Sequence, residues 1–325
     1  MTPLIPYFPT IQFTLPLPNA FAKDALIFHG FGLSVGIAII YGATITMNRA
    51  RREKLDEKTF VELFFWLVFA VIIGGHVGYG LFYSPKEYLA NPVLFLDVSS
   101  GLSSMGGFIT FSIAALLVLK RRKQPILPFA DNIMVGFSFG WIFGRLGCTL
   151  NHEHPGTASQ FFLARYCRPV EGHTINLPEW AIQTPYDFRF SHCIEEGKAA
   201  VTHISQQVTS TYDGVLAVHD MGLYEMLYAV LLFSCFYMLD KKPRPHGTFF
   251  FIMIFTYAPL RFTMDFLRPL EGNPRYSGLT PAQWGCIGFI TTCLSVMFIY
   301  RKQLREMMLN PAMFINSPHK NNAKK

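Results

Sequence analysis

Three arginines fall within apolar runs long enough to cross a bilayer: Arg145 in LPFADNIMVGFSFGWIFGRLGCTLN, and Arg261 and Arg268 in FFFIMIFTYAPLRFTMDFLR, with Asp265 between the last two. A guanidinium near the middle of a membrane helix costs roughly 3 kcal/mol on insertion scales, so four such ionised groups oppose insertion by on the order of 10 kcal/mol unless partnered. Something negative must meet them. Phosphate suits a forked guanidinium best, because it accepts two parallel charge-assisted hydrogen bonds. The leading expectation is a phospholipid headgroup held within a helical bundle. The i, i+4, i+7 spacing predicts Arg261, Asp265 and Arg268 along one helix face, where one carboxylate between two guanidiniums leaves a net positive site. The plainer reading is that Asp265 neutralises Arg261 while Arg268 snorkels to the interface.

Two further clusters could do chemistry. In GRLGCTLNHEHPG, residues 144 to 156, Arg145 is followed by Asn151, His152, Glu153 and His154. Amide, carboxylate and imidazole groups crowded at a membrane surface can orient a polar headgroup and move protons. His-x-Glu-x-His also invites a metal reading, but the pattern is short and Pro155 breaks helical presentation, so no metal and no cofactor are expected. In HDMGLYEMLY, His219 and Tyr224 precede Glu225, which lies inside an apolar run and must pair with an arginine or stay protonated.

The elements that position these groups are apolar runs near 25–47, 60–83, 105–119, 127–149, 221–239, 248–268 and 281–300. A chain of 325 residues that is 51% apolar and 15% charged, with seven such runs, reads as an all-α integral membrane protein, a seven-transmembrane-helix bundle. Basic residues cluster in alternate loops: Arg49 to Lys58, Lys120 to Lys123, Lys241 to Arg244, and the tail from Arg301. The positive-inside rule then predicts the N-terminus outside and the C-terminus cytoplasmic. The net charge of +7 is topology and attraction to anionic lipid, with no nucleic-acid partner implied. Residues 1–24, rich in proline and without a basic leader, are expected at the outer interface; 25–300 form the membrane domain and 301–325 a basic tail. Within that domain, 151–220 form a small irregular extracytoplasmic head between spans four and five, a lid in which Cys167 and Cys193 could bridge. Most span glycines have a packing reading, while others, Gly106 and Gly107 among them, could bring backbone N–H groups to a ligand. No internal repeat is seen, which disfavours inverted-repeat transporters.

In order, spacing and sidedness, the motifs resemble those of the bacterial prolipoprotein diacylglyceryl transferase family. Its Gly-Arg-x-Gly-Asn-x-x-Asn-x-Glu-x-x-Gly reads here as Gly144, Arg145, Gly147, Cys148, Asn151, Glu153 and Gly156. Its His-Pro-x-Gln-Leu-Tyr-Glu reads as His219, Leu223, Tyr224 and Glu225; its Lys-Pro-x-Pro-x-Gly spans Lys242 to Gly247; its Arg-x-x-x-Glu-x-x-Arg is Arg261, Asp265 and Arg268. The resemblance covers about 25 to 300, with 157 to 218 unmatched. It implies transfer of the diacylglyceryl group from phosphatidylglycerol to the lipobox cysteine thiol of a prolipoprotein, the first step of lipoprotein maturation at the bacterial inner membrane. Its partners would be that lipid and the precursor's signal peptide.

By the same resemblance Arg145, Arg261, Glu153 and His219 are catalytic candidates, and Asn151, Gly156, Tyr224, Glu225, Asp265, Arg268, Gly106 and Gly107 join the arginines in binding phosphatidylglycerol. The chain departs from the pattern at Cys148, at Phe31 where the family has tyrosine, and at Asp265 where it has glutamate. The family's catalytic His-Gly-Gly reads Met105, Gly106, Gly107. A thioether takes no proton, so two readings follow: a transferase that uses His152, His154, His219 or Glu153 as base, or a phospholipid- or lipoprotein-binding paralogue that has lost the histidine and transfers nothing.

Overall fold

Each apolar run becomes a helix long enough to cross a membrane: α1 Gly30–Arg52, α2 Glu57–Phe82, α3 Ser104–Arg121, α4 Ile126–Leu150, α5 Met221–Leu239, α6 Thr248–Leu267 and α7 Pro281–Ile299. The computed structural model describes residues 4–6, 11–15, 26–97, 101–159, 161–167, 216–242, 244–268, 274–299 and 301–302. Among the described residues, seven such helices, apolar over most of their surface, make this a multi-pass membrane protein of the all-α class. Six spans agree with the sequence expectation to within a few residues. The first begins at Gly30 and not near 25, because Leu26–His29 (β2) is extended and pairs antiparallel with Gln12–Leu15 (β1).

The helix ends are chemically marked. Asp56 caps α2 by accepting from the backbone N–H groups of Lys58 (3.3 Å) and Thr59 (3.2 Å). Ser103 does the same for α3 through Gly106 N–H. At the start of α6, Gly247 adopts φ +90°, a left-handed conformation that favours glycine. A carboxylate far away in sequence caps that turn: Asp131 accepts from the N–H groups of Gly247 (2.6 Å) and Phe250 (2.9 Å). Arg49, Arg51 and Arg52 occupy the last turn of α1, where cations complement the helix dipole.

The chain divides into two compact units. One comprises Ile39–Phe139, Val230–Asp265 and Pro274–Lys325. Its aliphatic and aromatic core gathers Ala50, Phe60, Leu63, Val118, Leu119 and Phe129, with the Phe60 and Phe129 rings stacked at 4.5 Å. Within it α2 and α3 touch backbone to backbone. A side chain added at Gly78 would meet Gly106 Cα at 2.5 Å, and one at Gly106 would strike the Gly74 carbonyl. Arg49, Arg52 and Arg244 converge on Asp240, and Arg49 and Arg244 also engage Glu53. Glu53 in turn accepts from Asn132 (2.9 Å). Burial pushes the Glu53 carboxyl above its ordinary range against the pull of Arg49.

The other unit comprises Met1–Ala38, Gly140–Ala229 and Phe266–Asn273. Here the segment between spans four and five, expected to be irregular, contributes a three-stranded antiparallel sheet ordered β3-β5-β4, with β3 Pro155–Ala158, β4 Arg165–Cys167 and β5 Leu216–Asp220. In register, Pro155 faces Asp220, and Val218 faces both Ala158 and Arg165. Cys193, considered for a bridge to Cys167, lies outside the described residues.

Candidate functional site

β5 runs directly into α5, so the sheet fixes where that helix begins. Asp220 is the hinge. One of its oxygens accepts from Leu223 N–H (3.0 Å) at the helix start, and the other accepts from Arg165 Nε (2.9 Å). Arg165 and Asp220 are fully buried, and Arg165 also meets Nδ1 of His152. Burial raises the Asp220 carboxyl, while the Arg165 guanidinium opposes that rise. This buried Arg–Asp–His cluster was not foreseen from the sequence, because its members sit 13 and 55 residues apart. It locks the turn after α4 to the start of α5.

On that frame stands the first cationic centre. Arg145 Nη2 lies 2.7 Å from Glu225 Oε2, with the Glu225 side chain wholly buried and that of Arg145 15% exposed. The expectation that Glu225 meets an arginine is thereby answered. The pair is thus largely withdrawn from solvent. Its Nη1 faces Cys148 Sγ at 3.9 Å. One turn beyond, Asn151 donates through Nδ2 to Glu153 Oε1 (3.0 Å).

His219 and Tyr224 form a second pair, ring nitrogen Nδ1 to hydroxyl at 2.9 Å, with the Phe161 ring against both. Burial holds the His219 imidazole below its ordinary pKa, so the ring is neutral near pH 7 and able to accept a proton. Gly156 packs under this histidine. A Cβ there would come within 2.7 Å of His219 Cβ and 2.8 Å of the Leu267 carbonyl oxygen, so no other residue fits without a shift.

The second cationic centre belongs to the other unit. Arg261 Nη2 is 2.9 Å from Asp265 Oδ1, and both groups are buried. Thr280 donates to the other oxygen of Asp265. Gln283 holds Thr280 in place through Oε1 to its N–H (2.9 Å) and donates through Nε2 to the Phe262 carbonyl (3.0 Å). Thr280 and Gln283 carried no sequence signal. The α-helical turn gives way to a 3-10 turn over Asp265–Leu267, and Arg268 follows it. Gly106 and Gly107 are buried at the start of α3, with Gly106 against the α2 backbone.

One expectation is corrected. Position 105 is a methionine, and from it followed a chain short of the family histidine, with activity in doubt on that account. The structure does not support that loss. His152, His154 and His219 all stand in the unit that carries Arg145, and a ring nitrogen of His154 lies within 4.8 Å of both Cys148 Sγ and a Glu153 carboxylate oxygen. His76 is a fourth, buried in α2 with its ring nitrogens 3.2 and 3.0 Å from the carbonyls of Gly101 and Leu94. Position in a linear motif does not decide which imidazole reaches a site. The backbone does, and His152 and His154 both take left-handed φ values (57° and 59°) that fold the chain back on the end of α4. The binding-only reading thereby loses the missing histidine as its ground.

Among the described residues, seven spans, a small sheet between the fourth and fifth, and one arginine–carboxylate pair in each unit characterise the chain. A family model described as prolipoprotein diacylglyceryl transferase matches residues 18–299. The chain belongs to that family, whose reaction is of the diacylglyceryl-transfer type. It is 30% identical over 286 residues to the phosphatidylglycerol–prolipoprotein diacylglyceryl transferase of Pseudomonas putida, covering 84% of this chain and 90% of that one. To the enzymes of the same name from Pseudomonas aeruginosa and Erwinia tasmaniensis it is 27% identical (88% and 94% covered) and 29% identical (82% and 86% covered).

Proposed function

We propose that this protein transfers the diacylglyceryl group of phosphatidylglycerol to the lipobox cysteine thiol of a prolipoprotein, in a bacterial inner membrane, with its N-terminus outside and its C-terminus in the cytoplasm. The observation that carries the proposal is the family match over 18–299 together with the pairing of Arg145 with the buried Glu225 inside the matched region. The reaction needs a thiolate nucleophile and a stabilised phosphate leaving group. Sulfur attacks the glyceryl carbon, the carbon–oxygen bond breaks, and glycerol phosphate departs with the electron pair.

Arg145 and Arg261 supply the cations for the phosphate. Charge stabilisation at a developing anion in a water-poor site is commonly worth several kcal/mol. Glu225 and Asp265 fix the guanidinium planes and lower the cost of holding those charges in the membrane. Asn151 and Glu153 orient the headgroup, and Gly156, Tyr224, Arg268, Gly106 and Gly107 complete the lipid-binding set. His219, neutral at working pH, accepts the thiol proton.

Incubating the purified protein with phosphatidylglycerol and a lipobox peptide tests this. A peptide mass gain of one diacylglyceryl group on its cysteine, absent when that cysteine is serine, is the expected result. No mass gain from an otherwise folded preparation would defeat the proposal.

A further inference from the structure

Arg165 and Asp220 take no part in the proposed transfer chemistry, yet both are fully buried beside the segments that do. A buried ion pair is weak support for stability, because desolvation offsets much of the attraction. Its place in the fold supplies another reason for it. Asp220 stands immediately before α5 and caps it: one oxygen accepts from Leu223 N–H (3.0 Å), the other from Arg165 Nε (2.9 Å). Tyr224 and Glu225 are the next two residues. At roughly 3.6 residues per turn, a start displaced by one residue would swing Glu225 about 100° around the helix axis and away from Arg145. Gly222 leaves no slack. A Cβ there would lie 2.9 Å from Thr149 Oγ1 and 3.1 Å from Thr149 N, so the first turn of α5 presses on the last turn of α4, one turn beyond Arg145.

The same guanidinium reaches the opposite bank. Arg165 Nη1 meets His152 Nδ1, and a guanidinium only donates, so Nδ1 accepts and the imidazole proton sits on Nε2. His152 then has no free ring lone pair and serves as an anchor, not a base. It lies between Asn151 and Glu153, whose N–H groups donate to the carbonyls of Gly147 (3.0 Å) and Cys148 (2.9 Å) and fold the turn back on α4. One side chain on β4 therefore ties the helix that presents Glu225 to the turn that presents Asn151 and Glu153. The charges of Arg165 and Asp220 cancel, so the pair adds no net charge near Arg145; what it supplies is geometry. Asp220 and Gly222 stand where the family pattern reads proline and glutamine, so the junction is this chain's own.

We infer that Arg165 and Asp220 are positioning residues: through Leu223 and His152 they hold Glu225, Asn151 and Glu153 in register around the Arg145 guanidinium. That this register serves diacylglyceryl transfer rests on the function proposed above. Misplacing a catalytic group by about 1 Å can cost on the order of a hundredfold in rate. The pair therefore acts on kcat more than on peptide affinity.

The test compares the full chain with Arg165→Met, Asp220→Ser and the two together. Serine keeps an oxygen to cap α5, and the double variant leaves no orphaned charge at the junction. Each single variant should unfold at a lower temperature than wild type, and the double variant should recover most of that loss. Its kcat for the lipobox peptide should nevertheless stay about tenfold or more below wild type, with peptide KM little changed. Amide hydrogen exchange over residues 151–153 and 222–225 should quicken about tenfold in both segments. If kcat and slow exchange return together with the unfolding temperature, the pair only stabilises the fold and the proposal is overturned. Should the double variant fail to fold, Arg165→Lys decides. A lysine ammonium can keep Asp220 paired but lacks the fork that also reaches His152, so exchange should quicken over 151–153 and stay slow over 222–225. Wild-type exchange in both segments of that variant would overturn the proposal. If the wild-type protein transfers nothing to the peptide, the transfer reading fails by itself, and exchange in the two segments still decides for or against the positioning role.

Discussion

Replacing Glu225 by leucine should destabilise the protein far more than replacing both members of its pair. Glu225 is wholly buried and sits 2.7 Å from Arg145, whose side chain is only 15% exposed. Removing the carboxylate leaves a guanidinium short of a counter-charge in a span, where desolvation is expensive. Breaking a buried pair from one side costs roughly 3–5 kcal/mol, whereas replacing both ions with apolar groups of similar volume is often neutral or stabilising. The cycle therefore comprises Glu225→Leu, Arg145→Met and the two together, each followed by denaturant unfolding in detergent micelles. The single Glu225 variant should lose about 3 kcal/mol or more and the double variant about 1 kcal/mol or less, a coupling of at least about 2 kcal/mol. All Arg145 variants should lack transfer whatever their stability. Additive losses, with coupling under about 0.5 kcal/mol, would show that the pair does not hold the site.

Gly156→Ala drives a methyl group into His219 Cβ and the Leu267 carbonyl oxygen; it should cost roughly 1–3 kcal/mol and reduce transfer, read by unfolding and by peptide mass gain. Because burial holds the His219 pKa below its ordinary value, the neutral base persists as pH falls through the usual imidazole range. Its contribution to stability is therefore full above the unfolded-state pKa and lost as pH drops through the folded one, so the acid limb of the transfer rate should lie below pH of about 6.5. His219→Gln should abolish that limb, and a limb unchanged in the variant would remove His219 as base. Asp131→Ala strips two N–H partners from the start of α6 and should cost about 1–2 kcal/mol in unfolding, with Asp131→Asn recovering part of it.

What the sequence showed and concealed follows from interaction range. Span composition is local, so α5, α6 and α7 begin where the apolar runs do. The Arg261–Asp265 pair was legible because i, i+4 partners share a helix face. Glu225 could be assigned an arginine on energetic grounds, but only the fold names Arg145 among the candidates. Arg165, Asp220 and His152 were missed because their contact depends on strands far apart in the chain, which carry no local period. Asp131 carried no sequence signal, because its partners are two backbone N–H groups at the start of α6, far along the chain. Cys148 is buried, and the turn after α4 sets it beside Glu153 and His154, a turn that depends on left-handed histidines that no residue-type preference signals.

The central claim is that the guanidinium of Arg145, held by Glu225, receives the anionic headgroup of the donor lipid. Native mass spectrometry of the delipidated protein titrated with phosphatidylglycerol and with headgroup-free diacylglycerol measures this directly. Wild type should retain phosphatidylglycerol in strong preference to diacylglycerol, and Arg145→Gln should lose most of that preference while still binding the acyl chains. Equal retention of phosphatidylglycerol by wild type and Arg145→Gln would contradict the account.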